Sequence, residues 1–197
     1  MNRTTPLVLA STSRYRADLL ARLGLPFRAE APACDEDALK AQASGMDPQA
    51  LAEALALAKA ESLRARFPDA AILGGDQLAA LDGEVLGKPG SAEGAARQLA
   101  RLAGRTHALI TAIALVIGER VIRHTEVARL TMRPLTADQI ERYVAADDPA
   151  DCAGSYKLER RGIALFSRIE AGDHTGIVGL PLMAITGMLA EVGIEVL

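Results

Sequence analysis

Four successive apolar residues, Leu7-Val8-Leu9-Ala10, read as a short buried strand. Ser11-Thr12-Ser13 breaks the run. Ser13 is placed to cap a helix whose Leu19, Leu20 and Leu23 share one face, with Gly24 as its stop. Phe27 to Ala31 gives a second short strand, and residues 32–46, with Asp35, Glu36 and Asp37 in succession, read as irregular and acidic. Asp47-Pro48 starts a helix with proline in its first turn, and Leu51, Leu55, Ala58 and Ser62 keep one helical face until Pro68. Ala70 to Leu73 predicts a central strand that ends in Gly74-Gly75-Asp76. Leu78 to Val85 predicts a hairpin turning at Asp82-Gly83.

Ser91 opens a further helix that closes near Gly104. Thr106 to Ile117 is long and β-rich. Gly118-Glu119 turns it back into Val121 to Met132, which alternates as an antiparallel strand should. Thr136-x-x-Gln139 forms a capping box for a helix to about Ala146. Residues 147–151 read as a loop, followed by a glycine-dense stretch holding Gly154, Gly162, Gly172, Gly176 and Gly179. Pro181 starts the last helix, with Leu182, Ile185, Leu189 and Val192 turned inward. Alternating strands and helices with a hairpin among them predict an α/β fold on a mixed sheet, in one domain over residues 1–197 without repeat or linker.

Composition narrows the function. Among 197 residues, 50% are apolar and 3% aromatic, so the core is aliphatic. Twenty-two Lys and Arg against 25 Asp and Glu leave a net charge of −3, which argues against nucleic-acid binding. Cys34 and Cys152 lie far apart without Cys-x-x-Cys spacing, so neither a zinc ribbon nor a disulfide scaffold is expected. No run is long enough for a signal peptide core or a bilayer span, and the expectation is a cytoplasmic protein without membrane contact.

Three groups of residues carry chemical possibilities. Ser11-Thr12-Ser13-Arg14-Tyr15-Arg16, between a strand and a helix, offers hydroxyls, backbone N–H groups and a guanidinium to an anion; it is equally a plain serine cap with solvated arginines. Asp76, after Gly74-Gly75 and before Gln77, sits at a strand end where α/β sheets bind ligands. It is a candidate metal ligand or general base, or an aspartate in a tight turn. Lys59, Lys88 and Lys157 stand out in a chain rich in arginine; an ammonium suits phosphate as a point charge, and also suits a solvated surface. Asp35-Glu36 reads alone as a solvated acidic loop, and His107, inside a strand, as structural. No P-loop, Gly-x-Gly-x-x-Gly or Ser/His/Asp set is present. Cations, hydroxyls and carboxylates without a nucleophile suit phosphoryl transfer to water.

Leu9-Ala10-Ser11-Thr12-Ser13, Gly75-Asp76-Gln77, Gly87-Lys88-Pro89, Gly104-Arg105-Thr106-His107, Ala153-Gly154-Ser155-Tyr156 and Val178-Gly179-Leu180-Pro181-Leu182 occur in that order. Together they resemble the Maf family of nucleoside triphosphate pyrophosphatases over essentially the whole chain. The resemblance implies an elongated mixed sheet flanked by helices in two lobes around a cleft, akin to inosine triphosphatases. It also implies a homodimer and cleavage between the α- and β-phosphates of a nucleotide with a divalent cation, Mg²⁺ or Mn²⁺. Asp76 is then the catalytic carboxylate and a metal contact, and Glu36 a second metal-binding carboxylate. Ser11, Ser13, Arg16, Lys59 and Lys88 hold phosphates.

Three positions separate branches of the family. The branch acting on dTTP and UTP usually has Arg at the position of Tyr15, Thr after the Asp, and Gln at the position of Glu159. Here Tyr15, Gln77 and Glu159 look like the branch that hydrolyses 7-methyl-GTP. N7-methylation makes the guanine ring cationic, and stacking on an electron-rich ring such as Tyr15 gains about 0.5–2 kcal/mol. The Glu159 carboxylate only accepts hydrogen bonds, which matches the donating N1–H and N2–H₂ edge of guanine. Tyr15 and Glu159 could also simply line a wall. Arg14 stands where many members have Pro, adding a positive charge near the phosphates. The expected activity is 7-methyl-GTP pyrophosphatase; the alternatives are dTTP, UTP or CTP as substrate, or a non-catalytic nucleotide-binding regulator of cell division.

Overall fold

Period-two alternation organises the sheet. Leu7, Leu9, Ala71, Leu73, Ile113 and Leu115 enter one buried cluster, while Val8, Ala10, Ile72 and Val116 enter another. Both faces of these strands are thus covered, which is why their sequences are continuously apolar. The computed structural model describes residues 5–43 and 45–197. Its elements run β1 (Leu7–Ala10), α1 (Arg14–Ala21), β2 (Phe27–Glu30), α2 (Glu36–Gln42), α3 (Pro48–Glu61), β3 (Ala71–Leu81) and β4 (Glu84–Leu86). They continue with α4 (Ala92–Leu102), β5 (Thr106–Ile117), β6 (Arg120–Met132), α5 (Ala137–Asp147), β7 (Phe166–Glu170), α6 (His174–Val178) and α7 (Leu182–Ala190). Short 3-10 turns stand at Ala153–Ser155 and Arg161–Leu165.

The seven strands form one sheet in the order β2-β1-β3-β5-β6-β7, with β4 also on β3. β1 pairs in parallel with β2 and β3, placing Leu9 opposite Ala29 and Leu73. β3–β4 and β6–β7 are antiparallel, so the sheet is mixed and the fold α/β. Contacts divide the chain into two compact units. Of the described residues, the first holds 5–43, 45–76, 111–126 and 173–197, and the second 77–110 and 127–172. In the first, α1 and α7 cover one sheet face through Leu19, Leu20, Ile185 and Leu189, and α3 covers the other through Ala60.

Several elements depart from the sequence reading. The segment 32–46 is not irregular: α2 forms within it, capped by Asp35 Oδ1 accepting from Ala38 N at 2.9 Å, with Glu36 and Asp37 in the first turn. No α2 residue is buried, so the helix leaves no apolar period to read. Ser44 of that segment lies outside the described residues. β3 is one strand of eleven residues, not a strand, a Gly-Gly turn and a hairpin arm. Gly74 is there for close approach: a Cβ on it would stand 2.2 Å from the carbonyl oxygen of Ala56 on α3. The glycine-dense stretch also hides β7 and α6. Pro181 caps α7, and Val192 lies beyond the helix end while still packing on the core.

Candidate active site

Asp76 lies within β3, not at its end, and Ile72, Gly74 and Asp76 share the face that α3 covers. The missing Cβ of Gly74 brings α3 down onto the strand and carries Lys59 with it. Lys59 Nζ donates to Asp76 Oδ1 at 2.7 Å and meets Glu36 Oε2 at 2.9 Å. Lys59 and Asp76 are 5% and 6% exposed, so their charges face little water. Glu36 reaches the pair from the first turn of α2. The approach to α2 is pinned to the end of α3, where Ser62 Oγ accepts from Ala33 N at 3.0 Å and donates to Lys59 O at 2.7 Å. Asp76 Oδ2 is buried and has no hydrogen-bond partner among the described residues. A buried carboxylate oxygen without a donor is costly unless something binds it.

The β1–α1 corner forms a second cluster in the same unit. Ser13 caps α1 by accepting from Arg16 N at 3.4 Å. Buried Ser11 accepts from Ser13 N at 3.1 Å and from Arg16 Nη1 at 3.5 Å. Arg16 Nε donates to Gly179 O at 3.3 Å. Burial lowers the Arg16 pKa from its ordinary value, while the charges of Asp76 and Glu36 hold it up. The two clusters therefore act on each other electrostatically. Arg16 remains a cation, since guanidinium titrates far above neutrality.

The other predicted residues fall as follows. Tyr15 is half-buried in the first turn of α1. Gln77, Lys88 and Glu159 belong to the second unit. Gln77 is half-buried in β3, Lys88 is exposed in the loop after β4, and Glu159 is exposed between the two 3-10 turns. The Lys88 loop is held where Gln98 Nε2 donates to Gly87 O at 2.8 Å. Lys157 is not a surface cation: it is buried, with Nζ donating to Asp148 O at 2.7 Å. Arg14 points to solvent and pairs with Asp18 at 3.8 Å. His107 is buried and structural as expected, with Nε2 sharing a hydrogen bond with Tyr156 Oη at 2.9 Å. Cys34 and Cys152 are free thiols.

Asp173 and Thr175 are residues the sequence reading passed over. Asp173 Oδ1 accepts from Thr175 N at 2.8 Å and Thr175 Oγ1 at 2.6 Å, and Oδ2 accepts from Met183 N at 2.8 Å. Thr175 Oγ1 in turn accepts from Leu182 N at 2.8 Å. This network joins the starts of α6 and α7 and fixes the loop whose Gly179 carbonyl receives Arg16. The signal was present as Asp-x-Thr ahead of a short apolar run, an N-cap pattern hidden among glycines.

A buried cation between two carboxylates, beside a hydroxyl and guanidinium corner, can bind phosphate oxygens and orient a water. Among the described residues no helix is long and apolar enough to cross a membrane. A family model described as Maf-like protein matches residues 6–192. A 7-methyl-GTP pyrophosphatase of Bdellovibrio bacteriovorus is 48% identical over 93% of this chain and 95% of its own length. A 7-methyl-GTP pyrophosphatase of Xanthomonas axonopodis pv. citri is 45% identical over 96% of this chain and 98% of its own. A dTTP/UTP pyrophosphatase of Moorella thermoacetica is 47% identical over 96% of each chain.

Proposed function

The chain belongs to the Maf-like protein family, and from that membership we propose that it is a nucleoside triphosphate pyrophosphatase acting on 7-methyl-GTP. The products would be 7-methyl-GMP and pyrophosphate, a clearance of modified nucleotides. The observation that carries the reaction is Asp76: one carboxylate oxygen tied to Lys59, the other buried and without a donor among the described residues. In this reading Lys59 holds the Asp76 carboxylate through Oδ1 until the triphosphate binds. Oδ2 then accepts from the attacking water, orienting it toward the α-phosphate and taking its proton. Ser11, Ser13, Arg16, Lys59 and Lys88 bind the phosphates, and the guanidinium fork of Arg16 spans two oxygens.

The donor set suits a divalent cation of the Mg²⁺ or Mn²⁺ type, because a hard ion takes carboxylate oxygens and Asp76 Oδ1 and Glu36 Oε2 converge on one point. Asp76 and Glu36 would hold it. When bound, it would neutralise charge on the triphosphate. The family resemblance also carries a cytoplasmic homodimer into this proposal.

The base preference rests on side-chain chemistry and on the names of the Bdellovibrio and Xanthomonas relatives. Tyr15 would stack on the cationic ring, and Glu159, with Gln77, would read its donating edge. The Moorella relative, at nearly the same identity, supports a second reading in which dTTP or UTP is the substrate. Pyrophosphate release from 7-methyl-GTP, GTP, UTP, dTTP, CTP and ITP with Mg²⁺ or Mn²⁺ tests both. Faster release from 7-methyl-GTP is expected. In the Tyr15→Arg/Glu159→Gln double variant its kcat/KM advantage over UTP should fall at least tenfold. Preference for pyrimidines replaces the base assignment, and release from none of the six overturns the reaction.

A further inference from the structure

We propose that Lys59 is a resident counter-ion that keeps the Glu36–Asp76 carboxylate pair from capturing a divalent cation until a triphosphate draws the ammonium away. The proposal deepens the pyrophosphatase reading and rests on it for the identity of the ligand that triggers the exchange.

Three observations converge. First, one nitrogen stands 2.7 Å from Asp76 Oδ1 and 2.9 Å from Glu36 Oε2, so two carboxylates aim at one point. Divalent cations sit about 2.0–2.6 Å from such oxygens, and a small inward shift of each carboxylate would make that point a cation site. An ammonium and a divalent cation cannot share it, because like charges a few ångströms apart in a buried setting repel strongly. Second, Asp76 is nine-tenths buried with Oδ2 undonated, so ligand capacity remains beyond the lysine contact. Third, the backbone beneath Lys59 is locked. α3 presses on Gly74 with no room for a Cβ, and Lys59 O accepts from Ser62 Oγ. The exchange therefore belongs to the side chain, whose four-carbon stem lets the charge swing to a phosphate oxygen while the helix stays in place.

Charge balance permits the exchange once Lys59 has a new partner. Two carboxylates and one ammonium leave −1; a divalent cation in place of the ammonium leaves none. A triphosphate supplies both a new partner for Lys59 and further oxygens for the cation. The two exchanges favour each other, and metal and nucleotide bind with positive coupling.

The test is Mn²⁺ titration of the full chain, reading free Mn²⁺ by electron paramagnetic resonance with circular dichroism as the folding check. Wild type, Lys59→Gln, Lys59→Ala and Lys59→Gln/Asp76→Asn are compared without nucleotide. Lys59→Gln keeps part of the stem and an uncharged N–H donor group, so it guards against loss of fold in the alanine variant. Expected are at least tenfold tighter Mn²⁺ binding in a folded Lys59 variant than in wild type, at about one ion per chain, and its loss in the double variant. A non-hydrolysable α,β-methylene triphosphate should bring wild-type Mn²⁺ binding up to that level. Wild type binding nucleotide-free Mn²⁺ as tightly as Lys59→Gln, or neither binding it, overturns the proposal. Wild-type pyrophosphate release, measured in parallel, separates the two failures. Absent release with the Mn²⁺ pattern intact removes the pyrophosphatase reading, and release without the pattern removes only the counter-ion role.

Discussion

The chain buries two lysines, one in each unit, and buries them for opposite purposes. Lys59 and Lys157 are 5% and 7% exposed, and both stood in the sequence as candidate phosphate cations. Lys59 faces two carboxylates, one of which keeps a buried oxygen without a donor among the described residues. Lys157 reaches the carbonyl of Asp148, the left-handed residue that ends α5, at 2.7 Å, and Asp151 at 3.1 Å. There the ammonium satisfies a helix C-terminus, the end where positive charge is favoured. The backbone of Lys157 is committed as well: its N–H donates to Tyr143 Oη at 2.9 Å, and its carbonyl accepts from Arg160 N and Gly162 N. Burial alone therefore does not mark a functional lysine. What separates the two is whether their partners are left with bonding capacity.

The largest effect follows from removing that capacity. Asp76→Asn retains the shape and a hydrogen bond to Lys59 but removes the charge at Oδ2. Its kcat for pyrophosphate release should fall about 10²–10⁴-fold, the usual share of a positioned general base. Lys59 keeps Glu36 as partner, so the midpoint of thermal unfolding should move little. A drop below tenfold would place Asp76 with Lys157, among groups buried for structure.

The sequence disclosed this site unevenly. Ser13 as helix cap, the hairpin turning at Asp82-Gly83, and the capping box at Thr136 and Gln139 were all legible, because caps and tight turns are local chemistry. The sequence points to Asp76 as a strand-end carboxylate, yet it lies inside β3. Gly74-Gly75 reads as a turn, yet Gly74 serves the contact with Ala56 and Ala60 on α3, well upstream and invisible to any local rule. Glu36 looked like a solvated acid because α2 buries nothing. The bridge from Ala33 to Ser62 ties the approach to α2 to the end of α3, where Glu36 meets Lys59. The Lys59 triad is thus the product of long-range packing, and spacing cannot show it.

The second unit offers a pH test of the contrast. Burial pushes the His107 pKa down to about 4; its ring bonds Tyr156 and packs near Phe166, with no charged partner. In the unfolded chain the ring titrates near 6.5. Between these values the unfolded state binds more protons, so stability is full above about pH 6.5 and falls as pH drops toward 4. The loss amounts to at most about 3 kcal/mol. Urea unfolding at pH 7 and pH 4.5 should show this component in wild type and not in His107→Phe. An equal pH slope in both proteins would deny the ring its buried neutral state.

The smallest effect bears most directly on the two lysines. Lys157→Met fills much the same volume but leaves the Asp148 carbonyl without its charged donor. Losing a hydrogen bond from a charged donor costs about 1.5–3 kcal/mol, and the exposed Asp151 pair adds little. We expect the urea midpoint to fall by about 2 kcal/mol of stability, with kcat per folded molecule within twofold of wild type. Nucleotide-free Mn²⁺ binding should stay at the wild-type level, unlike in the Lys59 variants. The exposed Glu159 lies two residues further on, so any change in turnover should appear as a shift in base preference, not as a uniform loss. The opposite outcome is equally readable. If Lys157→Met keeps its stability while losing turnover on every nucleotide tenfold or more, its ammonium serves phosphate after all. A carbonyl partner at 2.7 Å would then be a resting contact, as the carboxylates are for Lys59.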